Sequence, residues 1–265
     1  MITLDGTHGW VISYTNKHNI SGKLIEETNY NNWTFCSSVK PNWDPEKVDM
    51  NIAGKGYRGG VLCRNGRHAG IFNVLWPFDD GTGWSKFMKG EIWYDPYDGG
   101  SPELASVQIP VEGDGWVDCV LTYDRDNNLL VFQCREEHQD HWTVKSTKVD
   151  GDIIDYTGSH IWIGCANAFP TCEEPQFYSG HIRCLGVFNN KFDEEYRDKF
   201  YKEYLDFKGI NKYFRGHSHR RQVYNFEEMK PLTFTNFKTT TMYKAYDFSG
   251  NGNHPILYKR EWGVY

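Results

Sequence analysis

Two carboxylates, Glu91 and Asp95, stand four positions apart in the run Gly90-Glu91-Ile92-Trp93-Tyr94-Asp95. On a strand, residues at that spacing share one face, so the pair could flank a glycosidic bond as acid and nucleophile. Rings gather around them: Trp76, Trp84, Trp93 and Tyr97, with Asp79 and Asp80 in the intervening turn. Exposed rings can stack on the C–H faces of sugars while Asp79, Asp80 and Asp95 accept hydrogen bonds from hydroxyls. The same rings would suit a core or a partner interface, because aromatic side chains dominate both. His217 and His219 lie among Arg215, Arg220 and Arg221. Two histidines without a placed third ligand define no metal site, and a partner-docking arm accounts for the same residues. There is no nucleophile-elbow motif and no Gly-rich phosphate loop.

These groups must be positioned by short strands. Up to about Phe188 the chain alternates strand-like stretches with turn clusters such as Asp79-Asp80-Gly81-Thr82-Gly83, Asp98-Gly99-Gly100-Ser101-Pro102 and Asp124-Arg125-Asp126-Asn127-Asn128. That punctuation predicts an all-β sandwich. One helix is expected after Phe192. Asp193, Glu194 and Glu195 supply its acidic start, and Phe192, Tyr196 and Phe200 form an apolar stripe. Residues 211–230 are polar and basic and read as a linker or arm, after which Leu232–Phe237 and Ala245–Phe248 look strand-like again. The division expected is a sandwich over 1–208, an arm over 209–231, and a strand segment over 232–265 that completes this or a neighbouring sandwich.

The chain has 265 residues, a net charge of -6 and 16% aromatic content. Disorder does not suit so many rings. No apolar run is long enough to span a membrane, and the charge argues against a nucleic-acid partner. Seven cysteines, with no CxxC or CxxH pair, exclude a zinc ribbon. Most of them sit in apolar strand-like runs, and they read as reduced, buried core thiols. The start Met-Ile-Thr-Leu-Asp-Gly is unlike a signal peptide. Folding in a reducing cytoplasm is therefore expected.

Several segments in order resemble the laminin-G-like, concanavalin A-like jelly-roll family. Met1-Ile2-Thr3-Leu4-Asp5-Gly6-Thr7-His8-Gly9-Trp10-Val11 is similar to that family's early strand "F-D-G-x-x-D-Y-V", and Trp33–Pro41 to "F-T-I-S-A-W-V-K-P". Gly115–Asp124 is similar to "W-H-H-V-A-L-T-Y-D", and Ile161-Trp162-Ile163-Gly164 to "L-Y-I-G". Gly180-His181-Ile182-Arg183 and the following helix resemble "G-x-I-D-E-V-R-I-Y-N-R". A last piece, Tyr246–His254, resembles the "D-x-S-G-N-G-N-H-G" segment that in the family precedes "F-D-G". Here it follows the helix. That order leaves three readings of the tail: the first strand of a circularly permuted sandwich, a strand paired with a neighbour, or the start of a second repeat.

The resemblance implies an antiparallel concanavalin A-like β-sandwich (jelly roll) with one short helix and an extended C-terminal arm. It also implies a structural calcium in some relatives, for which Asp247, Asn251 and Asn253 could donate oxygen. Arg183 stands where the family has an aspartate and would repel the metal, so no cofactor is expected. The Glu91 run resembles the β-glucanase strand "G-E-I-D-x-x-E", with Trp93 in place of the central aspartate. The fold hosts lectins, enzymes and structural domains alike. It usually works outside cells, whereas the thiols and the N-terminus point to cytoplasmic folding. A non-catalytic structural or receptor-facing virion protein reconciles the two. Its expected partners are other virion subunits or further copies of itself, with a cell-surface glycan as a further candidate. A carbohydrate-active enzyme of β-glucanase or polysaccharide-lyase type is the alternative function, and a cytoplasmic location the alternative setting.

Overall fold

A computed structural model of the chain describes residues 2–5, 8–12, 32–43, 59–64, 71–79, 84–153, 161–166, 176–188, 190–202, 231–236 and 256–259. Its strands are β1 (Ile2–Asp5), β2 (His8–Ile12), β3 (Trp33–Pro41), β4 (Gly59–Arg64), β5 (Ile71–Asp79) and β6 (Trp84–Pro96). They continue as β7 (Glu103–Pro110), β8 (Val117–Asp124), β9 (Leu129–Glu136), β10 (Thr143–Lys148), β11 (Gly151–Ile153) and β12 (Ile161–Ile163). The last are β13 (Cys165–Ala166), β14 (Gln176–Phe177), β15 (Ser179–Phe188), β16 (Pro231–Asn236) and β17 (Ile256–Lys259), with helix α1 (Glu194–Phe200) between β15 and β16.

The described strands form two large antiparallel sheets. The first runs β1-β15-β3-β8-β9-β10, with β16 also on β15. The second runs β11-β6-β5-β4-β12-β2-β17, with β7 also on β6. β13 and β14 form a small separate pair. The molecule is thus an all-β, jelly-roll-like sandwich, as the segment order implies, with one short helix among the described residues.

The core lies between the sheets, and strand alternation fills it. In β7, Ala105, Val107 and Ile109 are buried while the residues between them are exposed. Trp33, Phe35, Leu121, Tyr123 and Phe132 meet Met88, Ile92 and Tyr94 in one apolar cluster. β8 breaks the half-buried pattern, being buried from Val117 to Tyr123. Its outward residues are covered because α1 lies on that face. Phe188, Phe192, Phe200 and Tyr201 pack there with Cys36, Val120 and Cys184. Asp193 caps α1, its side chain accepting from the Tyr196 N–H at 2.9 Å, which satisfies one of the unpaired donors of the first turn.

Two differences from the sequence reading matter. The β5–β6 ladder runs from Ile71↔Ile92 to Asp79↔Trp84, so Asp79, read as the first residue of a turn, belongs to a strand. β11 and β17 are further strands that their short, unpunctuated sequences did not announce. β16 pairs with β15, and β17 pairs with β2. β1 and β16 lie end to end along one edge of β15, because β1 pairs with Ile182 and its predecessors and β16 with Cys184 and its successors. Ala245–Phe248 and all of 209–230 lie outside the described residues.

Cys36, Cys119, Cys134 and Cys184 are buried and outside any disulfide. Burial pushes the Cys36 and Cys134 thiols well above the ordinary value, so little thiolate is present at neutral pH. We expect all four to resist a thiol reagent in the native protein and to react fully in denaturant, as read by mass mapping; fast native labelling would refute this burial. Deletion from Pro231 onward should strip β15 and β2 of partners and leave bare edges. The expected result is insolubility or a Tm lower by at least about 5 °C, and an unchanged Tm would show the tail to be dispensable.

Candidate functional site

The candidate site is built on β6, a 13-residue strand whose two faces differ. Met88, Ile92 and Tyr94 enter the core. Lys89, Glu91, Trp93 and Asp95 take the opposite, outer face by alternation. β7 continues this face: Trp93 pairs with Leu104, Glu91 with Ser106 and Lys89 with Gln108. On the other side, Glu91 pairs with Phe72 and Lys89 with Val74 of β5.

The two carboxylates share that face but not an environment. Glu91 is fully buried and its Oε1 pairs with Lys89 Nζ. Asp95 is exposed, opposite Asp152 of β11. Asp152 in turn lies 3.8 Å from an Arg125 Nη. Four strand residues span about 13 Å. Paired glycosidase carboxyls stand about 5–9.5 Å apart, so residues Glu91 and Asp95 are spaced too widely along the strand for that chemistry without side chains reaching toward each other. Glu91 is moreover engaged by an ammonium.

The rings do not form one cluster. Trp76 pairs with Phe87, and by alternation positions 76 and 87 share the face of Trp93. Six positions along β6 separate Phe87 from Trp93, about 20 Å of strand. Trp84 and Asp79 pair with each other at positions of the core-facing phase. Trp93 is half-buried, Leu104 is 36% exposed, and Tyr97, in the turn after β6, is 63% exposed. What these residues offer is a short apolar patch of Trp93, Leu104 and Tyr97, edged by Asp95 and Ser106. Such a patch can stack against a sugar ring while the polar edge meets its hydroxyls. Its polar margin was not evident in the sequence, because Ser106 joins it only through the β6–β7 register.

The Tyr94–Tyr97 end of β6 is pinned. Tyr94 donates its hydroxyl to Glu103 Oε2 at 2.5 Å. The Tyr97 N–H donates to the Asp150 carbonyl at 3.2 Å. Asp80 lies outside the described residues, as do Asp247, Asn251, Asn253, Arg215, His217, His219, Arg220 and Arg221. Among the described residues, no group of three or more His, Cys, Asp or Glu is placed to hold a metal ion, and no helix is long and apolar enough to cross a membrane.

No protein-family model and no curated protein matches this sequence. Several solved structures share part of its chain path. A putative carbohydrate-binding protein from Bacteroides ovatus is 11% identical, with 97% of this chain and 60% of that chain covered and a TM-score of 0.48. The CBM40 of the Ruminococcus gnavus IT-sialidase is 13% identical, with 73% and 92% covered and a TM-score of 0.45. The enzymatically active domain of bacteriophage CBA120 tailspike protein 2 is 10% identical, with a TM-score of 0.42. There 66% of this chain is covered, and the chain spans 24% of that domain's length.

The Tyr94–Glu103 contact makes a pH prediction. The hydrogen bond to Glu103, then burial, raises the Tyr94 hydroxyl from its ordinary 10.0 to about 12. A raised folded-state value contributes stability below pH 10 that is lost as pH climbs through 12. Burial likewise raises Tyr123 to about 12, so both tyrosines act in the same window. Urea midpoints should fall from pH 10 to 12, and Tyr94→Phe should make that fall shallower. Parallel curves for the two proteins would rule the contact out as a contributor.

Proposed function

We propose that this chain is a non-catalytic binding module that takes a glycan on the outer face of its second sheet. The observation that carries this reading is the patch of Trp93, Leu104 and Tyr97, with Trp93 and Leu104 side by side and a polar margin beside them. Large apolar side chains left open beside hydroxyl-binding groups suit a ligand that is apolar on one side and polar on the other. The absence of chemistry is supported by Glu91, which is buried and ion-paired where an acid or nucleophile would need to meet substrate.

The setting proposed is a virus particle, in which the chain is a structural or receptor-facing component. Four buried thiols outside any disulfide suit folding in a reducing cell interior, and a glycan-facing surface suits work outside the cell. A carbohydrate-active enzyme is the second reading, favoured only by Glu91 and Asp95 sharing a face.

The test is binding by isothermal titration against a panel of oligosaccharides. One or more should bind, and Trp93→Ala should weaken that binding at least tenfold, the loss expected when one stacking ring is removed at about 1.4 kcal/mol per decade. Near-UV circular dichroism should show that variant folded, since Trp93 lies outside the core. Equal affinity in Trp93→Ala would move the glycan elsewhere. Polysaccharide cleavage that disappears in Glu91→Gln would establish the enzyme instead.

A further inference from the structure

The outer face of the first sheet carries a second, differently charged arrangement at the end away from α1. Strand β15 is irregular there. Gly180 has φ +138°, and a Cβ at that position would fall 2.4 Å from the Lys40 carbonyl oxygen, so only glycine fits. Two residues on, the register slips between Ile182 and Cys184. Arg183 is the extra residue at this bulge, and a bulge re-aims the side chain it carries.

The re-aimed guanidinium lies against Trp116, 4.2 Å from the ring centroid. Its Nε donates to Ser38 Oγ at 3.0 Å, and one Nη reaches Asp118 Oδ1 at 3.5 Å. Ser38 donates to the same Asp118 oxygen at 2.7 Å. From the other side, Arg135 donates to Asp118 Oδ2 at 3.0 Å and lies 4.8 Å from the Trp142 ring centroid. Two guanidiniums therefore share one carboxylate.

Their exposures decide what a ligand would meet. Asp118 is 11% exposed, whereas Arg135 and Arg183 are 30% and 29% exposed. The carboxylate is shielded by three donors of its own, and the surplus positive charge sits on the open edges of the arginines. Each guanidinium has five N–H donors, of which these contacts use one on Arg135 and two on Arg183. Stacking on indole keeps both groups from swinging and removes water from one side, which strengthens charge-assisted hydrogen bonds at the other. Lys40, on β3 opposite His181, adds a further cation at this end. An arginine edge held in this way matches the paired oxygens of a carboxylate or sulfate.

We propose that this end of the first sheet binds an oxyanion, a carboxylate or sulfate group carried by a ligand, through the open edges of Arg135 and Arg183. Asp118, Trp116 and Trp142 are its positioning residues. The site lies on the sheet opposite the Trp93 patch and stands or falls independently of glycan binding there.

The test is isothermal titration at constant ionic strength with four probes: glucuronate, glucose 6-sulfate, inorganic sulfate and glucose. The anions should bind and glucose should not. Tighter binding of the sugar acids than of inorganic sulfate assigns an acidic glycan; equal binding assigns the anion alone, and both uphold the site. Arg183→Gln should weaken anion binding at least tenfold. Arg183→Lys and Arg135→Lys keep a cation beside Asp118 while losing the planar edge, and each should weaken it severalfold. These two variants carry the test if the glutamine variant does not fold. No binding of any anion, or affinities unchanged in both lysine variants, would overturn the proposal.

Discussion

The strands β3 and β8 are buried on both faces, and most of the remaining structure answers the demands this makes. Their inward residues meet an apolar core. Their outward residues include Thr34, Ser38, Asp118 and Thr122, all buried, and a buried polar group without a partner is costly. Each has one. Thr34 lies 3.1 Å from the Thr122 hydroxyl, donates to the Asn190 carbonyl at 2.8 Å and accepts from the Phe192 N–H at 3.1 Å. Those contacts fix the turn that launches α1. Beyond the helix, the Tyr201 hydroxyl is shared between the Ser37 and Cys119 carbonyls at 2.9 and 2.6 Å, and burial raises it well above the ordinary value. The helix is thus tied at both ends to the two strands that it covers.

This roof separates the functions available to the two outer faces. Where α1 lies, the first sheet offers no open surface. Arg197, buried on the helix, donates to Gln133 at 2.7 Å and shares Trp142 with Arg135. Only past the edge of the helix do arginines reach solvent, and there they face a single carboxylate. The second sheet has no such roof among the described residues near β7, whose outward residues are exposed. Its Lys89–Glu91 pair is a charge neutralised in place. Breaking such a pair is costly, while the pair itself contributes little net stability.

The sequence by itself determined what is local. Alternation located β3, β8, β9 and β15, and the acids before Phe192–Phe200 located α1 with Asp193 as its cap. Apolar flanks marked Cys36, Cys119, Cys134 and Cys184 as buried, and the spacing of Glu91 and Asp95 put them on one face. The jelly-roll-like sandwich was legible for the same reason: strand period and turn residues are properties of short windows. Tertiary structure decided everything that depends on what lies across a ladder. Only pairing shows that Trp76 and Trp84 belong to opposite phases of one long hairpin, that Leu104 and Ser106 border Trp93, and that β16 and β17 find partners in β15 and β2. The bulge at Arg183 shows the limit most plainly. The residue could be read as a cation in place of an aspartate. That it rests on Trp116 and shares Asp118 with Arg135 follows from a one-residue slip in register, and register is set by strands distant in sequence.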